Sequence, residues 1–280
     1  MTKFIDVHVH PPVPEFFAGA LRPYLERLEE YFGRSFSPMS VDEIAGHYRE
    51  RDGQAVLLGW DAETATKRSP LTNQAIAAMV EAHPDVFHGF GSVDPHKGAA
   101  AVAGVHEAAR LGLKGLKFHP PAQRFSPVDR IAYSIWEIAA ELGLVVLVHT
   151  GFTGLGAGVD GGSGIDLAKG QPMVLDQVAA DFPELKIILA HPSWPWQEEA
   201  IAVARHKANV YLELSGWSPK YLDPSLLEAM RGPLAERTLF GTDFPFLTPD
   251  KWLGDWEGLG MPEDLTHNIL YENAARLLGD

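Results

Sequence analysis

Two periodicities of apolar residues take turns along this chain from one end to the other. Short runs with a two-residue period, or with unbroken apolar character, fall at 4–10, 55–60, 86–93, 115–119, 144–149, 186–191, 210–214 and 238–243. Runs of that length rich in β-branched and aromatic residues predict strands, several of them buried on both faces. Between them, apolar residues recur every three to four positions over 41–51, 73–82, 99–111, 131–142, 173–182 and 198–204, the period of amphipathic helices. Ser40 with Glu43 is a capping-box signature for the first of these, and 265–278 reads as a closing helix. Strict β-then-α order predicts a parallel sheet, and eight units is the number that closes an α/β (β/α)8 TIM barrel.

An open doubly wound sheet is the competing architecture. It ordinarily carries a glycine-rich turn after the first strand, whereas here that turn is His10-Pro11-Pro12-Val13-Pro14. Two connections are long. Residues 11–40 follow the first strand and predict a helical insertion; residues 151–170 follow the fifth and hold eight glycines. Long connections after strands are where a barrel keeps its function. No repeat or linker divides the chain, so 1–280 reads as one domain.

Charge and composition change the picture by exclusion. A formal charge of −14 with no basic run argues against a nucleic-acid surface and means that local cations must meet any anionic substrate. No run of eighteen apolar residues exists, so no membrane span is expected, and Met-Thr-Lys-Phe-Ile-Asp leads into a strand without a signal-peptide pattern. With no cysteine, a metal must be held by histidine and carboxylate, and the cytoplasm is the expected location. The expected partner is a small-molecule substrate; a homodimer is compatible with the sequence.

The candidate chemistry lies at the strand ends. His8 and His10 end the first strand, His119 the fourth, His149 the fifth, His191 the sixth and Asp243 the eighth, while Glu213 is near the end of the seventh. In a barrel these ends converge on one face. Residues two apart on a strand share a side, so Asp6, His8 and His10 are expected in the lumen, as are Val145 and Leu147 below His149. Ile187 and Leu189 are likewise expected below His191, and Leu239 and Gly241 below Asp243. A lone strand-end histidine is more often a satisfied polar residue than a ligand. Agreement of His8, His10, His149 and Asp243 on one rim reverses that expectation and predicts one divalent metal, Zn²⁺ first, with Mn²⁺ or Fe²⁺ also suited to the donors. His191 is the candidate catalytic base, with Asp243 the other catalytic candidate.

Lys117 shares a face with His119 in an apolar strand and must find a partner there. It could pair with Asp6 or Glu213, contact substrate, or become carbamylated between two metals; a structural or substrate role is favoured. Trp194, Trp196, Trp217 and Tyr221 flank the expected pocket and suit an apolar or aromatic substrate moiety. Arg124 and Lys220 are the loop cations able to meet a carboxylate or phosphate. Substrate contacts are therefore expected from Lys117, His119, Arg124, Trp194, Trp217 and Lys220. His47, His83, His88, His96, His106, His206 and His267 read as ordinary.

The segments Ile5-Asp6-Val7-His8-Val9-His10, Val148-His149-Thr150-Gly151, Leu189-Ala190-His191-Pro192, Phe240-Gly241-Thr242-Asp243-Phe244-Pro245 and Asn273-Ala274-Ala275-Arg276-Leu277-Leu278 together resemble the metal-dependent amidohydrolase superfamily. The likeness is strongest to the amidohydrolase-related branch that includes aminocarboxymuconate-semialdehyde decarboxylase. It implies that His8, His10, His149 and Asp243 bind one metal and that His191 acts on metal-bound water. Decarboxylases of that branch use arginines for the substrate carboxylate, but no arginine stands close to Pro192-Ser193-Trp194-Pro195-Trp196. The stretch from Trp194 through Ser215-Gly216-Trp217-Ser218-Pro219-Lys220-Tyr221 is similar to β-ketoacyl-CoA hydrolases of the same branch. The first expectation is accordingly hydrolysis of a carbonyl compound, the second non-oxidative decarboxylation, and the third a non-catalytic metal-binding barrel.

Overall fold

Eight parallel strands follow one another in sequence order in the computed structural model, which describes residues 3–279. Met1, Thr2 and Asp280 lie outside the described residues, and with them the start of the N-terminal segment that leads into the first strand. The strands are β1 (Phe4–Val9), β2 (Gly53–Leu58), β3 (Phe87–Gly91), β4 (Gly115–Phe118), β5 (Val145–His149), β6 (Ile187–Ala190), β7 (Val210–Glu213) and β8 (Thr238–Leu239). β1 meets the segment after β8 through Val7 N to Phe240 O at 3.0 Å, Asp243 N to His8 O at 3.0 Å and His10 N to Phe244 O at 2.8 Å. Those bonds carry the ring round to its start.

Alternation along the strands builds two cores. Val56, Leu58, Phe90, Val145, Leu147 and Leu239 share one buried cluster inside the ring, while Ala55, Leu57, Leu116, Phe118, Val146 and Val148 join the cluster that faces the helices. Each such large side chain taken fully from water contributes roughly 1.5–3 kcal/mol. The inner cluster continues into Ala274, Ala275 and Leu278 of the last helix, Asn273–Leu278. Asn273 ties that helix to the barrel by donating to Ala235 O and Thr238 O, both at 2.8 Å.

The capping box forms as the sequence predicts. Ser40 Oγ accepts from Glu43 N at 3.2 Å and Ser40 N donates to Glu43 Oε2 at 2.7 Å, starting the helix Val41–Arg49. The insertion holds two helices, Pro14–Ala18 and Leu25–Phe32. Residues 151–170 form turns and 3₁₀ pieces in place of a regular element.

Two expected alternations fail, each for a backbone reason. The β1–β2 register shifts between Asp6 and Val9, so Ile5 and Val7 face inward and yet His8 does as well. Asp6 consequently points outward, where Tyr48 of the helix Val41–Arg49 donates to it. On β6 the inner residues are Ile188 and Ala190, not Ile187 and Leu189. His191 reaches the inside because its φ is +70°, which breaks the two-residue period. β8 is shorter than expected. Beyond it Gly241 lets the backbone pass close to β7, since a Cβ there would lie 2.1 Å from Glu213 Oε1.

Candidate active site

At the C-terminal rim, His8 Nε2 and His10 Nε2 each lie 3.4 Å from Asp243 Oδ1. These three residues can converge on one ion. His191 and Glu213 form a second such triad with His8. His149 faces the same space: its ring is 4.7 Å from that of His191 and stacks on His119 at 3.8 Å.

Burial sets the charge of these groups. It pulls His8, His10 and His119 well below the ordinary histidine range, with the Lys117 charge as the next cause. For His149 burial is followed by the neighbouring His119. His191 is pulled down to about 3 by burial and Lys117. All five imidazoles are therefore neutral at pH 7, the form in which a histidine can donate a lone pair. Burial pushes the Asp243 carboxyl up to about 7 against the pull of Lys117. It draws Lys117 down to about 8, with Asp243 and Glu213 opposing.

The donors fit a divalent metal. His10 Nδ1 and His149 Nε2 are buried with no hydrogen-bond partner, the latter as expected of a lone pair kept for an ion. His8 Nδ1 lies 3.0 Å from Glu213 Oε2, the carboxylate–imidazole pairing that commonly orients a metal-ligating histidine. Lys117 Nζ stands 3.0 Å from His8 Nε2. An ammonium only donates, so it now takes the lone pair that an ion would use, and the two compete.

Strain is concentrated here. His191, Ser193 and Asp243 adopt φ of +70°, +61° and +65°, a region that costs non-glycine residues of order 1–3 kcal/mol. Gly216, at φ +74°, leaves room for His191: a Cβ on it would lie 2.9 Å from His191 Nδ1. Asp243 is positioned through its neighbour, since Thr242 N and Oγ1 both donate to Asp6, at 2.9 and 2.5 Å.

Above these groups opens a cavity of about 160 Å³. His10, Lys117, His119, His149, His191 and Asp243 line it, and its apolar walls include Phe16, Phe32, Trp60, Trp217 and Phe246. Phe16, from the insertion, stacks on His10 at 5.6 Å. Among the described residues no arginine lines the cavity. Of the four loop aromatics, Trp217 lines it; Trp194 stands outside, half exposed, with its ring 6.0 Å from that of Trp217. Lys220 lies over the Tyr221 ring, and Arg124, in a left-handed turn, reaches Ser163 O at 3.5 Å. Neither cation lines the cavity. The seven histidines read as ordinary also lie elsewhere.

Ser215 and Thr153 were not expected. Ser215 Oγ lies 3.0 Å from His8 Nδ1 and 2.9 Å from His191 Nδ1, and Thr153 Oγ1 is 3.3 Å from His119 Nε2. Ser215 carried two weak signals, its two-residue spacing from Glu213 and its place at the start of the segment Ser215-Gly216-Trp217-Ser218-Pro219-Lys220-Tyr221; Thr153 sits in a glycine-rich loop and carried none.

A family model described as amidohydrolase matches residues 5–279. The chain belongs to the amidohydrolase family. It is thus an enzyme of a metal-dependent family that acts on small molecules. An uncharacterized TIM-barrel protein from Bordetella bronchiseptica shares 27% identity over 99% of this chain and 98% of its own, with a TM-score of 0.79. A dihydroxybenzoic acid decarboxylase from Polaromonas sp. JS666, solved with manganese and the inhibitor 2-nitroresorcinol, shares the fold at 19% identity, covering 100% of this chain and 97% of its own with a TM-score of 0.72. So does a probable 2-pyrone-4,6-dicarboxylic acid hydrolase from Acinetobacter baumannii, solved with citric acid, at 14% identity, 99% and 100% coverage and a TM-score of 0.68. Among curated proteins, the fluG protein of Emericella nidulans is 30% identical over 112 residues, 39% of this chain but 12% of that protein's length. No helix among the described residues is long and apolar enough to cross a membrane.

Proposed function

We propose that this amidohydrolase-family enzyme is a hydrolase that uses one divalent ion, held by His8, His10, His149 and Asp243, to cleave a small carbonyl compound with an apolar or aromatic portion. Zn²⁺ is the first choice for three imidazoles and a carboxylate, with Mn²⁺ and Fe²⁺ as alternatives. When bound, such an ion lowers the pKa of water to ~7 and polarises a carbonyl. His191, neutral by burial and open to the cavity, takes the proton from the attacking water. Lys117 and His119 are the donors available to a substrate oxygen. Phe16, Trp60, Trp217 and Phe246 exclude water around the apolar portion. The scissile group is an ester, thioester, amide or the C–C bond of a β-keto compound.

One observation carries the choice of hydrolysis. The cavity holds the neutral imidazole of His191 beside three residues able to converge on an ion, and among the described residues its wall offers Lys117 but no arginine to grip a carboxylate that will leave. Decarboxylation of an aromatic acid is the second reading, supported by the flat aromatic walls and by the decarboxylase that shares this fold. Turnover of a panel of aryl esters, thioesters, β-keto acids and hydroxybenzoic acids in ¹⁸O-labelled water separates the two. Hydrolysis leaves ¹⁸O in a new product carboxylate. Stoichiometric CO₂ with no label retained in a new carboxylate overturns the hydrolase proposal in favour of the second.

A further inference from the structure

Glu213 and Ser215, two residues apart at the end of β7, touch both His8 and His191. Glu213 is fully buried, and four groups able to donate surround its carboxylate. Ser215 N donates to Oε1 at 2.5 Å. Oε2 faces His191 N at 3.3 Å, Ser215 Oγ at 2.8 Å and His8 Nδ1 at 3.0 Å. Burial pushes this carboxyl up to about 8, opposed by these hydrogen bonds and the Lys117 charge; ionised, it accepts from three of the four groups at Oε2 and from one at Oε1.

This pattern dictates where the ring protons sit. Lys117 donates to His8 Nε2, so the proton of neutral His8 must be on Nδ1, the atom facing Glu213. That is a second constraint independent of Glu213 itself. For His191, Nδ1 lies 3.1 Å from Ser215 O, and a carbonyl only accepts. The Ser215 hydroxyl proton is directed to Glu213, which leaves Ser215 Oγ to accept from His191 Nδ1 at 2.9 Å. The His191 proton is therefore also on Nδ1.

We infer that Glu213 and Ser215 form one positioning device that fixes the tautomers of His8 and His191 together. His8 keeps Nε2 unprotonated, facing Lys117 and Asp243, as a ligand needs. His191 keeps Nε2 bare on the edge opposite Ser215, as a base needs. Both residues act through the imidazoles and are positioning residues. The functional meaning of the device rests on the proposed metal-dependent hydrolysis, but the tautomers themselves do not.

Long-range ¹H–¹⁵N spectra of metal-free protein labelled at histidine test this at fixed pH, with the two rings assigned by His8→Gln and His191→Gln. The expected wild-type result is Nδ1–H for both. In Glu213→Gln the new amide presents donors to donors. With Lys117 still donating to His8 Nε2, His8 should lose Nδ1–H purity without inverting, and Zn²⁺ affinity, measured against a competing chelator, should fall 10–100-fold, the usual cost of losing such a partner. Ser215→Thr keeps the hydroxyl and should restore what Ser215→Ala loses in His191 tautomer purity. Circular dichroism checks that each variant folds; if Glu213→Gln does not, the wild-type spectrum and the Ser215 pair still decide. Wild-type His8 or His191 carrying its proton on Nε2 overturns the inference. So does a folded Glu213→Gln with unchanged tautomers and Zn²⁺ affinity. Correct tautomers with Zn²⁺ affinity indifferent to His8→Gln would uphold the device and remove the metal site instead.

Discussion

Replacing Asp6 by alanine should destabilise the protein by about 3 kcal/mol, whereas asparagine should cost no more than about 1 kcal/mol. Asp6 is fully buried; its Oδ1 accepts from His8 N at 3.1 Å and Thr242 N at 2.9 Å, and its Oδ2 from Tyr48 Oη at 2.8 Å and Thr242 Oγ1 at 2.5 Å. Alanine strands two backbone donors that cannot rotate away, at roughly 1–3 kcal/mol each, and forfeits two hydroxyl bonds at about 1 kcal/mol each. Against that sum stands relief of a buried charge. Burial raises the Asp6 carboxyl from 3.8 to about 6, which sets roughly 3 kcal/mol against the ionised form at pH 7. Asparagine keeps one acceptor oxygen for the backbone donors and sheds the charge, while the two hydroxyls can rotate to accept from its amide. Urea denaturation at pH 7 with a shared slope gives both differences. The folded pKa lies above the unfolded one, so wild type loses stability as pH rises from 4 to 6, and the asparagine variant, lacking that group, should gain on it across the same window. An alanine variant within 1 kcal/mol of wild type, or asparagine as damaging as alanine, would refute the reasoning.

His191→Ala should abolish turnover, a loss of the order of 10²–10⁴-fold for a general base, with metal content near that of wild type. His149→Ala should lose metal as well; equal metal loss in both variants, read by elemental analysis, contradicts this division of roles. Lys117→Met removes the ammonium that donates to His8 Nε2 at 3.0 Å and should raise Zn²⁺ affinity about tenfold, since a charged hydrogen bond of about 1.5 kcal/mol no longer competes. Loss of metal from that variant, measured by chelator competition, would instead mark Lys117 as a carbamylated ligand.

Much of this architecture was legible because the barrel writes its period into the chain. The order of strands, the Ser40 cap and the crowning of Val145 and Leu147 by His149 all come from spacing. Spacing fails where the backbone leaves ideal geometry. A register shift in β1 turns Asp6 out to Tyr48, and a positive φ turns His191 in. No periodicity encodes either event. Long-range pairings were equally hidden: Ser215 reaches His8 across 207 positions, and Phe16 of the insertion stacks on His10. Spacing likewise does not say where a loop cation reaches: Arg124, at φ +61°, stands off the cavity wall with Nη2 3.5 Å from Ser163 O.

Anomalous diffraction at the zinc edge from crystals of Zn²⁺-reconstituted protein tests the central proposal most directly. One peak per chain is predicted, bounded by His8, His10, His149 and Asp243. Two peaks bridged by Lys117, or a single peak away from those four residues, would contradict it.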